Sequence, residues 1–211
     1  MTPRDPPVSL PPRRRLPSHA RRAEIVAAVV ELARERGPEA ITTQAIADRV
    51  ALTHGALFRH FADKEAIWGA VFDWVQSDLG AAVDAAFAGG GSPVEILERV
   101  FLAHARFIAR HPGAPRILYH ALQGAEHAAT HERVHSMVAA YTRRVAACLR
   151  DARDAGALSA ALDPQVGATL FVATLQGLAL QRSLLGGEGG IVDAARATFS
   201  LLLDGMRGVR Q

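Results

Sequence analysis

The sequence predicts an all-α protein of nine helices, with three short N-terminal helices followed by six longer ones that form a bundle. Three observations indicate this class. From residue 20 onward apolar residues recur at helical spacing, alanine is abundant, and no stretch alternates polar and apolar residues over the length of a strand. At 211 residues and 49% apolar composition, the chain is long enough to bury a sizeable core.

The first three predicted helices are short and closely connected. The first is expected to end at the glycine–proline pair 37–38. Glycine is common directly after the last residue of a helix, and the proline that follows cannot continue it. Thr42 and Thr53 are expected to cap the second and third helices with their side-chain oxygens. A short helix, a tight turn and a second short helix form a helix-turn-helix unit. Its expected core residues are Ile46, Val50, Leu52, Leu57 and Phe61.

The six later helices are separated by glycine and proline. Asp63 is expected to cap a fourth helix that runs to about residue 87, and the fifth follows a glycine-rich loop and ends near residue 110. The others are predicted at about 114–123, 128–155, 164–185 and 191–207. We therefore divide the chain into a flexible basic arm at 1–19, a helix-turn-helix domain at 20–62 and a bundle at 63–211.

The positive charge of the chain lies at its N-terminus. The net charge is +3, whereas residues 1–22 hold six arginines against one aspartate, which gives +5. The arm, with Arg13, Arg14, Arg15, Arg21 and Arg22, is interpreted either as a nucleic-acid contact or as a solvated tail.

Other classes of protein are excluded by composition. The single cysteine, Cys148, permits no intrachain disulfide, and the uncharged run 164–181 contains too many polar residues for a membrane span. No signal peptide, phosphate-binding loop or dinucleotide fingerprint is present, so we expect a cytoplasmic protein without a membrane partner or a cofactor.

The third helix carries the features of a DNA-reading helix. Burial of its apolar side leaves a face with small residues for close approach to a groove and with hydrogen-bond donors. That face comprises His54, Gly55, Ala56, Arg59 and His60. Polar residues near the helix starts are expected to hold phosphates: Thr42, Gln44, Thr53, His60 and Lys64.

Residues 42–67 resemble the DNA-binding region of the TetR family of bacterial transcriptional repressors. The matches, in order, are Thr42, Ile46, Ala47, Leu52, Thr53, Gly55, Leu57, His60, Phe61, Lys64 and Glu65. The resemblance implies phosphate contacts from Thr42, Thr53, His60 and Lys64. It also implies base contacts from His54, Gly55, Ala56 and Arg59.

Three positions depart from the family pattern. Ala51 stands where glycine is usual, and a positive φ there costs an alanine about 1 kcal/mol, so an adjusted turn is one expectation. Phe58 replaces a tyrosine and removes a hydroxyl from the docking face, and His54 replaces a frequent lysine. A DNA domain that has lost its function is a further interpretation of Ala51 and Phe58.

The resemblance also implies a homodimer that reads a near-palindromic double-stranded operator, and a small, often apolar effector bound between helices four to eight. Effector binding is expected to shift the fourth helix and change the spacing of the two reading helices. The pocket candidates are Phe101, Ala105, Ile108, Leu118, Tyr119, Leu122, Met137, Tyr141 and Phe171. For each of them, ordinary core packing is the alternative.

The last two helices carry a face of small and apolar residues. It is interpreted as a dimer interface, with internal core as the alternative. Its members are Leu170, Ala173, Thr174, Gly177, Leu178, Gln181, Ala194, Thr198, Leu201 and Leu202.

One motif points to a different class of protein. Residues 131–135 fit the H-E-x-x-H pattern of zinc proteases, with His131 and His135 as ligands and Glu132 as the base, and His127 lies one turn earlier. A metal-binding or metallohydrolase helical protein is therefore the alternative function. A solvated polar face is the simpler interpretation. Our leading hypothesis is a dimeric, ligand-responsive repressor that is not an enzyme.

Overall fold

In the computed structural model, the described residues 17–123, 128–185 and 190–208 form nine α-helices and no strand. The N-terminal helices are α1 (Ser18–Arg36), α2 (Thr43–Arg49) and α3 (His54–Leu57), with a 3-10 turn at Pro38–Ala40. The longer helices are α4 (Lys64–Ala88), α5 (Pro93–Arg110), α6 (Gly113–Gln123), α7 (Ala128–Asp154), α8 (Pro164–Leu185) and α9 (Ile191–Arg207). The predicted all-α class is confirmed.

Side-chain caps begin the helices that the sequence predicted to be capped. The hydroxyl oxygens of Thr42 and Thr53 accept hydrogen bonds from Ala45 N at 3.1 Å and Ala56 N at 3.2 Å. Asp63 accepts from the Ala66 backbone at 2.7 Å. Each cap satisfies an N–H group that has no partner within its helix.

The third helix is shorter than the sequence predicted. It ends at Leu57, and the predicted reading residues Arg59 and His60 lie in the turn that follows. There the backbone N–H of Arg59 bonds to Ala56 O and that of His60 to Leu57 O, which are three-residue spacings. The chain therefore leaves the α-helix through a hydrogen-bonded turn before it enters α4.

The core of the N-terminal unit extends past residue 62. Ile67 and Val71 of α4 and Ile117 of α6 are buried in it, together with residues of α1, α2 and α3. A second core, shared by α4, α5, α7, α8 and α9, fills the bundle. One side of α6 therefore packs against the N-terminal unit, and the other side faces the bundle.

The turn between α2 and α3 is built with an alanine in the left-handed region. Ala51 has a φ of 48°, the one positive value among the non-glycine residues that the structure describes. The turn is therefore not adjusted to avoid this conformation. Thr43 Oγ1 and His54 Nε2, 3.0 Å apart, connect the two helices beside it.

We predict that Ala51→Gly raises the free energy of unfolding by about 0.5–1 kcal/mol, because glycine removes the steric cost of the left-handed conformation. Denaturant unfolding measures the change. The matched control, Ala81→Gly on the exposed face of α4, is expected to lower stability by about 1 kcal/mol. Destabilisation by Ala51→Gly would show that the turn carries no strain.

Candidate DNA interface and effector cavity

The predicted DNA-contacting residues lie together on one outer region of the N-terminal unit. Seven are exposed, namely Thr42, Gln44, Thr53, His54, Gly55, Arg59 and Lys64. Three are half-buried, namely Ala56, Phe58 and His60. The face that carries the predicted reading residues therefore points outward while Leu57 and Phe61 anchor it from beneath.

Gly55 is open on the side where a Cβ would lie. No heavy atom comes within 4 Å of an ideal Cβ built at this position. Packing inside the chain therefore does not require glycine here. Beside it, the rings of His54 and Phe58 meet edge to face with centroids 4.9 Å apart.

Two arginines assigned to the basic arm are engaged within the N-terminal unit. Arg21 pairs with Glu24, and Arg22 donates to the His60 backbone carbonyl. The Arg22 guanidinium also lies 4.1 Å from the centroid of the Phe61 ring. These contacts connect α1 to the turn after α3 through Arg22, so the interpretation as a solvated tail does not hold for Arg22. Arg13, Arg14 and Arg15 lie outside the described residues.

The bundle contains a cavity of about 350 Å³ between α4, α5, α6, α7 and α8. Five of the predicted pocket residues line it: Ile108, Leu118, Tyr119, Met137 and Tyr141. The other wall residues are Val75, Gln76, Leu79, Gly80, Val83, Asp84, His104, Phe107, Ala114, Pro115, Val138, Ala140, Arg144, Val172, Gln176 and Ala179. The volume lies near the lower end of the range of about 300–1,000 Å³ that is usual for ligand sites.

Four predicted pocket residues lie outside the cavity wall. Phe101 and Phe171 are buried in the bundle core, where their rings meet edge to face at 4.9 Å, and Phe101 also packs on Phe199 of α9. Ala105 is buried in the same core, and Leu122 points outward with 39% of its surface exposed. On α5 the cavity wall is formed by 104, 107 and 108 instead of 101, 105 and 108.

Two polar wall residues are neutral, and each has one buried atom without a partner among the described residues. His104 Nδ1 and Tyr141 Oη are inaccessible and make no hydrogen bond with any described residue. Their rings lie edge to face, with centroids 5.6 Å apart. Burial lowers the pKa of His104 to about 4 and raises the pKa of Tyr141, so neither carries charge near neutral pH.

The predicted dimer face lies at the surface of α8 and α9. None of its ten members is fully buried. Leu170 is 52% exposed and Leu201 74% exposed. Ala173, Gln181 and Ala194 are also exposed, whereas Thr174, Gly177, Leu178, Thr198 and Leu202 are half-buried. Further exposed apolar side chains continue the face along α8: Val166, Leu180 and Leu184.

The H-E-x-x-H residues do not form a metal centre with other described residues. His131, Glu132 and His135 are all exposed on α7, and no group of three or more His, Cys, Asp or Glu side chains in the described part of the chain could hold an ion. His127 lies outside the described residues. Separately, no helix of the described chain is both long and apolar enough to cross a membrane.

Two family models match this chain. The model for bacterial regulatory proteins of the tetR family matches residues 25–71, and the model for the tetracyclin repressor-like C-terminal domain matches residues 123–199. Together they cover more than half of the chain. The protein therefore belongs to the TetR family of bacterial regulatory proteins.

Individual relatives agree with this assignment. The HTH-type transcriptional repressor Rv3405c of Mycobacterium tuberculosis is 35% identical over 102 residues, which are 46% of this chain and 50% of that protein. The match thus spans about half the length of this curated relative. The structure of the ketosteroid transcriptional regulator KstR2 of Mycobacterium tuberculosis aligns with a TM-score of 0.78 at 21% identity, over 90% of this chain and 96% of that one.

A third similar protein is the TetR/AcrR-family transcriptional regulator of Thermobifida fusca. Its structure aligns with a TM-score of 0.66 at 26% identity, over 91% of this chain and all of that chain. The likeness to both solved structures extends through the N-terminal helices and the bundle, as the coverage requires.

Proposed function

We propose that this protein is a dimeric transcriptional repressor that binds operator DNA and releases it when a small molecule occupies the bundle cavity. The observation that carries this proposal is the outward face of α3, where Gly55 is open although the fold does not require glycine there. A DNA groove supplies a reason for a residue without a Cβ, because it lets the helix approach the base edges closely.

The division of roles follows the chemistry of the side chains. His54, Gly55, Ala56 and Arg59 would face base edges, and arginine recognises guanine with two hydrogen bonds. Thr42, Gln44, Thr53, His60 and Lys64 would hold phosphates, and Phe58 would pack beside them. We assign residues 20–62 to DNA binding and 63–211 to effector binding and dimerisation, with the arm at 1–19 as an additional contact to DNA.

A second copy of this chain is the proposed partner on the exposed face of α8 and α9. Leu170 and Leu201 are more than half exposed, and exposed apolar side chains that follow one face mark interaction sites more often than single scattered ones do. A twofold interface there would present two α3 helices to successive major grooves.

The cavity and the N-terminal unit share α6, which supports a route of communication besides α4. Ala114, Pro115 and Leu118 line the cavity, whereas Ile117 on the same helix is buried in the N-terminal core. A ligand that displaces α6 would therefore also displace the core under α3.

Polar contacts strengthen this connection. Arg116 donates to the backbone oxygens of Ala33 and Arg34 at the end of α1, at 3.4 and 3.1 Å. It also donates to the side chain and backbone of Ser183 on α8, at 2.6 and 3.2 Å. One side chain thus connects α6, the N-terminal unit and the proposed dimer helix.

In this proposal the protein acts on DNA in the cytoplasm and is not an enzyme. The metallohydrolase hypothesis lacks support, because His131, Glu132 and His135 face solvent and the described residues supply no third ligand. No cofactor is proposed.

For DNA binding, we predict that a duplex selected from a random library at low salt is bound with a Kd that Gly55→Ala raises at least tenfold. Arg59→Ala should relax discrimination at one base pair by about 1–3 kcal/mol. Gel shift and fluorescence anisotropy measure both effects, and thermal unfolding should show Gly55→Ala as stable as the wild type.

The matched control for that experiment is Gly69→Ala in α4, where a Cβ likewise meets no atom within 4 Å and DNA affinity should not change. Selection of no sequence at all would indicate a DNA domain without function. Unchanged affinity and selectivity in both variants would contradict the assignment of α3.

For assembly, we predict a dimer by analytical ultracentrifugation whose Kd rises at least a hundredfold in Leu201→Glu. The reason is that an unpaired charge buried in an apolar interface costs about 3 kcal/mol or more. Leu122→Glu, at an exposed leucine away from this face, should remain dimeric. A monomeric wild type, or a Leu201→Glu dimer of unchanged affinity, would refute the interface.

A further inference from the structure

The polar groups of the cavity restrict the chemistry of the ligand, and this inference rests on the proposed effector function. Most of the wall is apolar, being lined by Val75, Leu79, Val83, Phe107, Ile108, Leu118, Met137 and Val172. Apolar surface of this kind favours a hydrophobic ligand body. The question is which polar group such a ligand would carry.

The formal charges of the wall lie in one solvent-exposed ion pair, in which the Arg144 side chain is 44% exposed and the Asp84 side chain 65% exposed. Asp84 and Arg144 carry the formal charges among the lining residues, and they pair with each other, with Arg144 Nη1 2.5 Å from Asp84 Oδ1. Arg144 also lies over the Phe87 ring at 4.3 Å. A carboxylate or ammonium held deep in the cavity, away from this exposed pair, would lose its hydration without gaining a counter-charge, which is costly.

Two residues of the wall also hold a neutral hydrogen-bonding atom that is covered in the structure without ligand. Tyr119, the other tyrosine of the wall, already donates its hydroxyl to Gln176 O at 3.2 Å. His104 Nδ1 and Tyr141 Oη have no such partner among the described residues, although buried polar atoms are almost always paired. An inaccessible atom left unpaired costs about 1–3 kcal/mol, and a ligand that bonds to it recovers part of that free energy.

We propose that the effector is a neutral, mainly apolar molecule with one hydroxyl or carbonyl oxygen, and that the His104 and Tyr141 side chains rotate towards the cavity so that Nδ1 and Oη hydrogen-bond to this oxygen. A phenol or alcohol oxygen donates and accepts, and a neutral imidazole nitrogen and a tyrosine hydroxyl can serve both roles. A carbonyl oxygen accepts from either group. The two side chains therefore select for oxygen on an uncharged ligand, and the rest of the wall accommodates the apolar body.

The test compares two matched probe sets by calorimetry at pH 7, without DNA. One set is 2-naphthol, naphthalene and 2-naphthoate, and the other is decan-1-ol, decane and decanoate. At least one alcohol should bind at least tenfold more tightly than both its hydrocarbon and its carboxylate. No binding by either alcohol, or a carboxylate of equal affinity, would overturn the proposal.

Two variants assign the preference to the named atoms. Tyr141→Phe and His104→Phe should each weaken binding of the alcohol about tenfold, whereas the hydrocarbon changes less than twofold. Because neither polar atom has a partner, both variants without ligand should melt at or above the wild-type temperature. The control is Thr142→Val. Thr142 follows Tyr141 on α7 but does not line the cavity, and its hydroxyl donates to Val138 O at 2.9 Å.

A variant that lowers the melting temperature and weakens alcohol and hydrocarbon binding equally would assign these residues a structural role and overturn the proposal. The effect on DNA is measured separately. An alcohol that binds as expected but leaves DNA affinity unchanged refutes the effector response while the ligand class stands. Failure of every alcohol refutes the ligand class, and DNA binding remains a separate result.

Discussion

The contact between α6 and the end of α1 is the constraint on which the rest of the molecule depends. A Cβ on residue 113 would lie 2.2 Å from the Val30 carbonyl oxygen. The two helices can therefore approach this closely only because residue 113 is glycine. Arg116 adds hydrogen bonds to the last carbonyls of α1, and Ile117 is buried in the core below α3. Since Ala114, Pro115 and Leu118 of the same helix line the cavity, α6 belongs both to the cavity wall and to the core of the N-terminal unit.

Local chemistry explains why so much of the fold could be predicted from the sequence. Threonine and aspartate caps, glycine ends and proline starts act within a few residues, so the helices begin and end close to their predicted positions. The Ala51 turn is an exception, because the expected adjustment is absent and the alanine keeps a positive φ. The third helix was predicted too long because the turn at Arg59 and His60 leaves no distinct pattern in the residues.

The cavity could be predicted only in part, because its wall depends on how five helices pack. On α5, periodicity identified the apolar side that contains Phe101 and Ala105, but that side contacts α9 and the bundle core. The cavity faces a neighbouring side of α5 that contains His104, Phe107 and Ile108. His104 interrupts the apolar pattern on this side. This histidine within an apolar stripe was the sequence signal that could have indicated the cavity. No sequence signal indicated the role of Arg116, because its partners are 67 to 83 residues away in the chain.

The most direct measurement is the thermodynamic coupling between the cavity and DNA in the wild type and in Arg116→Gln. The Kd of the selected duplex is measured with and without the tighter-binding alcohol. We expect the ligand to weaken DNA binding about 5–150-fold in the wild type, and this ratio to fall towards one in Arg116→Gln, while Arg106→Gln on the exposed face of α5 retains it. An equal ratio in wild type and Arg116→Gln would contradict the account.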